Sequence, residues 1–172
     1  MIFTGEIKRF DEHPIFYASH IPIPKEVYEA MNAVCEQKRV ICTINKQERF
    51  HAAMLSKGDE HYILLNKERF KKLNLSEGLK VEVNLEQDES TYGLAISEEM
   101  EEVLYSDPEG NELFQNLTPG KKRSLIHVIN KIVNPQKKVE KSLIILDHLK
   151  NQKGKLDFQI LNEDFKNSRF KR

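Results

Sequence analysis

The sequence has little cysteine, little glycine and no tryptophan, and each shortage narrows the kinds of site that it can form. Its two cysteines, Cys35 and Cys42, lack the CxxC spacing of a redox or zinc motif, so we expect two buried free thiols. The seven glycines are scattered among predicted turns. This distribution excludes a glycine-rich phosphate loop.

Long apolar runs are also missing. No segment approaches the roughly 18 residues of a membrane-spanning helix, and the N-terminal MIFTGEIKRF lacks the apolar block of a secretory signal. We therefore expect a cytoplasmic protein without a membrane span. The 172 residues, of which 39% are hydrophobic and 31% charged, predict a globular chain with a core of ordinary size.

Motifs for catalysis and for metal binding are absent as well. The histidines form no HxH, HxxxH or HExxH pattern, and no GxSxG motif marks a nucleophile. From these absences we predict no metal, no cofactor and no enzymatic activity. The six histidines are His13, His20, His51, His61, His127 and His148.

The clearest element lies at residues 66–86, where a short basic helix and a glycine turn precede an alternating strand. Leu79, Val81, Val83 and Leu85 point to one face of this strand, which is typical of a sheet buried on one side. Further strands are predicted at 2–9, 16–23, 38–45, 49–55 and 61–65, with a helix at 25–34. Closing the sheet would remove its edges, so we predict a small closed six-stranded β-barrel at residues 1–96.

Two segments of the predicted barrel region resemble each other in sequence. Residues 23–32 match residues 65–74 at an offset of 42, with identical lysine, glutamate and asparagine positions. We hypothesise a duplicated strand-helix-strand unit, which would make the barrel pseudo-twofold. The alternative is a chance similarity between two amphipathic helices.

Residues 97–172 have a helical pattern. Together with the strands predicted for residues 1–96, this pattern predicts an α+β fold. Asp107-Pro108 and Thr118-Pro119 each combine a capping side chain with a proline at the first helical position. Apolar stripes follow at 123–133, ending in Ile132 and Val133, and at 139–150. The short connection between them predicts a helical hairpin.

The formal net charge is zero, but charges of each sign are concentrated in adjacent blocks. Ten acidic residues and no Lys or Arg lie within 86–118, whereas ten basic residues and two acidic ones lie within 119–155. The basic hairpin is the strongest candidate for a site that binds an anion or a partner, and its candidate residues are Lys121, Lys122, Arg123, Lys138 and Lys141. A solvated face that attracts the acidic block is the alternative, and it is the one we favour.

Several segments resemble a known bacterial family. RVICTIN, FHAAM, LNLSEGLKVEV and LEQDESTYG resemble the barrel domain of unknown function that commonly precedes a YdeI/OmpD-associated module. LTPGKKRSLIHVINKI is similar to that module itself, although Val128 stands where the family often has Trp. The resemblance implies a protective role in stress or bacteriocin resistance, with no established enzymatic activity.

Two further functions remain open. Residues 66–83 are also similar to the swapped-hairpin barrels of AbrB-like DNA-binding proteins, in which basic residues contact phosphates. A nucleic-acid-binding regulator would use Lys67, Arg69, Lys71 and Lys72. A small-ligand carrier or an enzyme using the barrel interior is the third alternative.

Overall fold

The computed structural model describes residues 1–10 and 19–167, and the chain divides into two compact units. The N-terminal unit is Met1–Gly93 and the C-terminal unit is Leu94–Arg172. Our sequence-based boundary lies three residues later, after residue 96. His13 and residues 16–18 of the predicted second strand lie outside the described residues.

Eight described strands, two α-helices and one 3-10 helix at Glu36–Lys38 form the N-terminal unit. The helices are α1 (Lys25–Val34), after the third strand, and α2 (Lys67–Lys72), after the seventh. The strands are β1 (Ile2–Glu6), β2 (Lys8–Arg9), β3 (Ser19–Ile23), β4 (Arg39–Ile44), β5 (Glu48–Ala53), β6 (Leu55–Lys57), β7 (Glu60–Leu65) and β8 (Lys80–Gln87). They pair as two antiparallel sheets with the orders β1-β8-β4-β5 and β2-β3-β7-β6.

The prediction of a closed six-stranded barrel is wrong. In residues 1–10 and 19–93 the strands form two open four-stranded sheets, and no single ladder closes on itself. Two of the predicted strands are each interrupted, one between β1 and β2 at Ile7 and the other between β5 and β6 at Met54. Both side chains are buried, so the apolar alternation continues through each interruption and conceals it.

The strand registers support the duplication. Ile21 faces Ile63 in the second sheet, and these residues are separated by the same offset of 42 that relates the two matching segments. In the same ladder Ser19 faces Leu65 while Ile23 faces His61, as a twofold axis through the central pair requires. Each half of the unit therefore contains an interrupted strand, a second strand, a helix and a third strand.

Apolar side chains from both sheets and from α1 fill the core of the N-terminal unit. Val81, Val83 and Leu85 are buried as predicted, but Leu79 is 39% exposed because β8 begins one residue after it. Cys35 and Cys42 are buried free thiols, which confirms that prediction. Burial raises the pKa of Cys42 to about 12, so this thiol stays protonated at neutral pH.

Five described helices form the C-terminal unit: α3 (Glu98–Ser106), α4 (Pro108–Gln115), α5 (Pro119–Asn130), α6 (Pro135–Asn151) and α7 (Phe158–Asn167). The predicted caps are confirmed, because Asp107 accepts a hydrogen bond from the Gly110 N–H and Thr118 accepts one from the Lys121 N–H. Val133 is 93% exposed, so its predicted place on the apolar stripe is wrong. The reason is that α5 ends at Asn130.

Among residues 1–10 and 19–167, no helix has both the length and the apolar character needed to cross a bilayer.

Candidate anion-binding cleft

A cleft of about 490 Å³ lies at the start of α5 in the C-terminal unit. Lys121 and Lys155 line it together with apolar side chains and polar groups. Its further lining residues include Leu117, Leu156, Ile160, Thr118 and Asp157. The cleft therefore combines two cations with an apolar wall.

The α5 side of the cleft follows from the local sequence. Thr118 caps the helix through its Oγ1, which accepts a hydrogen bond from the Lys121 N–H at 3.4 Å, and Pro119 occupies the first helical position. No acidic residue lies in the first turn of α5. The positive end of the helix dipole therefore adds to the charge of Lys121.

The opposite side is formed where α6 ends. Gly154 has a φ of +81°, a conformation that disfavours other residues, and its N–H donates to the Leu149 carbonyl at 2.7 Å. Asp157 then begins the next helix, accepting hydrogen bonds from the N–H groups of Gln159 at 2.8 Å and Ile160 at 3.2 Å. These bonds occupy one oxygen of the only carboxylate among the residues that line the cleft.

Most of the other basic residues predicted for this site have contacts of their own. Lys122 Nζ donates to the Gln115 carbonyl at 3.0 Å, and Lys138 Nζ pairs with Glu99 Oε2 at 3.2 Å. Lys141 Nζ lies 3.8 Å from the Phe165 ring centroid, and burial lowers its pKa. Arg123 also has an interaction, and it does not line the cleft. Of the five predicted residues, the structure places only Lys121 in the cleft.

The acidic block neutralises part of the basic block. Besides the pair formed by Glu99, Asp107 Oδ2 lies 2.7 Å from Lys150 Nζ. A hydrogen bond from Lys150 lowers the pKa of Asp107, and the same bond raises the pKa of Lys150. By contrast, Lys121 and Lys155 form no ion pair with any other described residue. These two lysines are therefore available to an anion.

The basic residues predicted to bind nucleic acid are not brought together as a free patch. Arg69 Nε lies 3.8 Å from Glu48 Oε1, and the guanidinium carbon lies 3.5 Å from the Phe50 ring centroid. Lys72 Nζ contacts the other oxygen of Glu48. Lys71 is exposed, and Lys67 makes another interaction.

The sequence reasoning missed Lys155. It follows Gly154 and Lys153, so a lysine on each side of a turn glycine was the available signal. Its proximity to the first turn of α5 depends on how α5, α6 and α7 pack, which a local pattern does not encode.

The histidines do not form a metal centre in the part of the chain that the structure describes. Two of them bind carboxylates instead: His51 Nδ1 lies 2.8 Å from Asp88 Oδ2, and His148 Nδ1 lies 2.7 Å from Asp164 Oδ2. Nε2 of the buried His148 also accepts a hydrogen bond from the Asp157 N–H at 3.3 Å. His148 therefore links α6 to α7.

Comparison with known proteins finds a match in the N-terminal unit only. Residues 3–85 match the family model described as "Domain of unknown function (DUF1905)". This match confirms the predicted N-terminal domain of unknown function, while the YdeI/OmpD-associated assignment stays a prediction. No curated protein and no solved structure matches the chain.

Proposed function

We propose that the chain is a binding protein that holds an anionic partner in the cleft at the start of α5. One observation supports this proposal more than any other. Lys121 and Lys155 line the same cleft and neither forms an ion pair with another described residue, whereas Lys138 and Lys150 are paired with Glu99 and Asp107. Even with the Asp157 carboxylate in the lining, the two ammonium groups leave the cleft with a net positive charge, which attracts an anion.

The lining favours an acidic peptide segment of a partner protein. Leu117, Leu156 and Ile160 provide an apolar wall beside the two ammonium groups. A carboxylate can bind Lys121 and Lys155 while an adjacent apolar side chain covers this wall. Free inorganic anions would use the charge but leave the apolar wall exposed.

A nucleic-acid partner receives less support from the geometry. Binding to a duplex gains affinity from many phosphate contacts, and Glu48 already neutralises Arg69 and Lys72. The interior of the N-terminal unit gives no support to the ligand-carrier alternative, because side chains such as Ile21, Ile63 and Val83 fill it.

We place this binding activity in bacterial stress or bacteriocin protection. This part of the proposal rests on the resemblance of the LTPGKKRSLIHVINKI segment to the YdeI/OmpD-associated module. Leu117, Thr118 and Lys121 of that segment line the cleft, so part of the segment that suggests the role also forms the site.

The test is a fluorescence-anisotropy titration of the whole chain with a labelled peptide of glutamate and leucine residues. We expect saturable binding that weakens as salt is added. Lys121→Glu and Lys155→Glu should each raise Kd about tenfold, because each replaces an attraction by a repulsion.

Lys137 provides a matched control. It occupies the third position of α6 after the cap Asn134, as Lys121 does in α5 after Thr118, but it does not line the cleft. Both reversals place an acid at a helix N-terminus and should have similar small effects on stability. Equal losses of affinity in Lys121→Glu and Lys137→Glu would refute a specific cleft.

A further inference from the structure

A second group of polar side chains lies in the N-terminal unit, where β6 pairs with β7. Ser56 faces His61 across the two strands, and Ser56 Oγ lies 2.9 Å from His61 Nδ1. Ser56 is exposed on a three-residue edge strand, so a molecule in solution can reach its hydroxyl. A serine hydrogen-bonded to an imidazole is the arrangement that general-base activation of a nucleophile requires.

Tyr28 of α1 fixes the orientation of this imidazole. Its ring stacks on the His61 ring with a centroid separation of 3.5 Å and an interplanar angle of 4°. The Tyr28 hydroxyl also lies 3.4 Å from Ser56 Oγ. A hydrogen bond from Lys38 is the main cause that lowers the pKa of this hydroxyl, which places a polarised oxygen beside the serine. The serine thus has a base, and the base has a group that orients it.

The duplication shows that the fold does not require these polar groups. When residues 23–32 are aligned with residues 65–74, Tyr28 aligns with Phe70, so the related position needs an aromatic ring but no hydroxyl. The same offset of 42 relates His61 to Ser19, so the imidazole is not repeated either. Core positions recur between the halves, whereas the Ser56, His61 and Tyr28 group occurs in one half only.

We propose that Ser56 is a nucleophile that accepts an acyl group from a small ester. Ser56 Oγ attacks the ester carbonyl carbon while its proton passes to His61 Nδ1. The bond to the leaving alcohol oxygen then breaks, and His61 returns the proton to that oxygen. Water hydrolyses the acyl-serine with His61 again as the base, so one ester and one water give one acid and one alcohol.

Tyr28 lies beside the serine, and a cleft lies beside the imidazole. The Tyr28 hydroxyl, with Lys38 next to it, can donate to the oxyanion that forms on the carbonyl oxygen. A cleft of about 210 Å³ is lined by His61, Tyr62, Pro22 and Ile23 among other residues, so it reaches the imidazole, although Ser56 and Tyr28 are not part of its lining. An ester-hydrolysing Ser56 would make the protein an enzyme, whereas we predicted from the sequence that it has no enzymatic activity.

The test uses p-nitrophenyl acetate on the whole chain, with acid quenching and mass spectrometry of the acetylated peptides. We expect acetyl-Ser56 to form at least about 100-fold faster than acetyl-Ser124 in the same sample. Ser124 is also an exposed serine, but its hydroxyl donates to the Gly120 carbonyl at 3.0 Å instead of facing an imidazole. Release of p-nitrophenol should follow the same time course as Ser56 acetylation.

Two substitutions test whether His61 and Tyr28 take part in the reaction or only support the fold. His61→Phe retains a ring that can stack on Tyr28 but removes the base, so Ser56 acetylation should fall about 100-fold. Tyr28→Phe copies the residue found at position 70 and should slow the reaction less, by about tenfold. Acetylation of Ser56 at the rate of Ser124, or at the same rate in the parent and in His61→Phe, would overturn the proposal.

Discussion

The two basic regions of the chain look alike in sequence but differ in their surroundings. In the N-terminal unit, Arg69 and Lys72 of α2 share the carboxylate of Glu48, and Arg69 also stacks on Phe50. In the C-terminal unit, Lys121 and Lys155 line a cleft and have no ion pair among the residues described. The nearest carboxylate therefore decides whether a lysine or an arginine is structural or available to a ligand.

We expect the largest effect on stability from substituting Glu48, the carboxylate that neutralises Arg69 and Lys72. In Glu48→Ala, Arg69 loses its counter-ion while remaining largely buried, so unfolding free energy should fall by about 2 kcal/mol. Chemical denaturation monitored by circular dichroism measures this loss. Lys72→Ala should change stability by less than about 0.5 kcal/mol, because its side chain is 69% exposed.

A compensating variant sharpens this result. Adding Arg69→Met to Glu48→Ala removes the uncompensated cation and should restore part of the lost stability. If Glu48→Ala alone is as stable as the parent, Phe50 is enough to hold Arg69 and the contrast between the two basic regions loses its physical basis.

Asp107 provides the corresponding prediction in the C-terminal unit. Its carboxylate caps α4 and pairs with Lys150, so Asp107→Ala should cost about 1 to 2 kcal/mol. Asp107→Asn keeps a capping oxygen but loses the charge, and it should cost less. Urea denaturation of the three proteins at neutral pH gives the ranking.

The pH dependence of Asp107 has a defined sign. The pKa of this carboxyl is lowered in the folded state, so its contribution is fully present above the unfolded value, about 3.9. The contribution is lost as the pH falls through the lower folded pKa. Thermal unfolding at a series of acidic pH values should show this loss in the parent and not in Asp107→Asn; parallel curves would contradict it.

The smallest effect is expected for Lys71 in the basic helix α2. This exposed lysine was predicted to contact phosphates, yet Arg69 and Lys72 beside it are bound to Glu48. Lys71→Glu should change mobility-shift binding to duplex DNA by less than about twofold at low salt. A much larger loss that is also steeply salt-dependent would favour the regulator function over the peptide-binding one.

The sequence predicted those features that depend on neighbouring residues. The helix at Lys25–Val34 and the capping side chains of Asp107 and Thr118 were visible because a cap and an apolar period are local. The interruptions at Ile7 and Met54 were not, since a strand can change its partner sheet while its inward side chains continue to alternate.

The candidate cleft was predicted only in part from the sequence. Lys121 was identified from the cations in the first turn of α5, but Lys155 comes near it only through the packing of three helices. The Glu48 and Arg69 pair links β5 to α2 across the tertiary fold, so the basic helix looked more available than it is. Sequence patterns located the charges, and the tertiary contacts determined which of them are neutralised.

The most direct measurement is a chemical-shift map of the whole chain, recorded by NMR during titration with the glutamate-leucine peptide. We expect shifts at the amides of residues 116–118, 120, 121 and 152–157, and none at residues 67–72 beyond those caused by an equal concentration of salt. Shifts centred on residues 67–72, or shifts spread evenly over the basic residues of both units, would contradict this expectation.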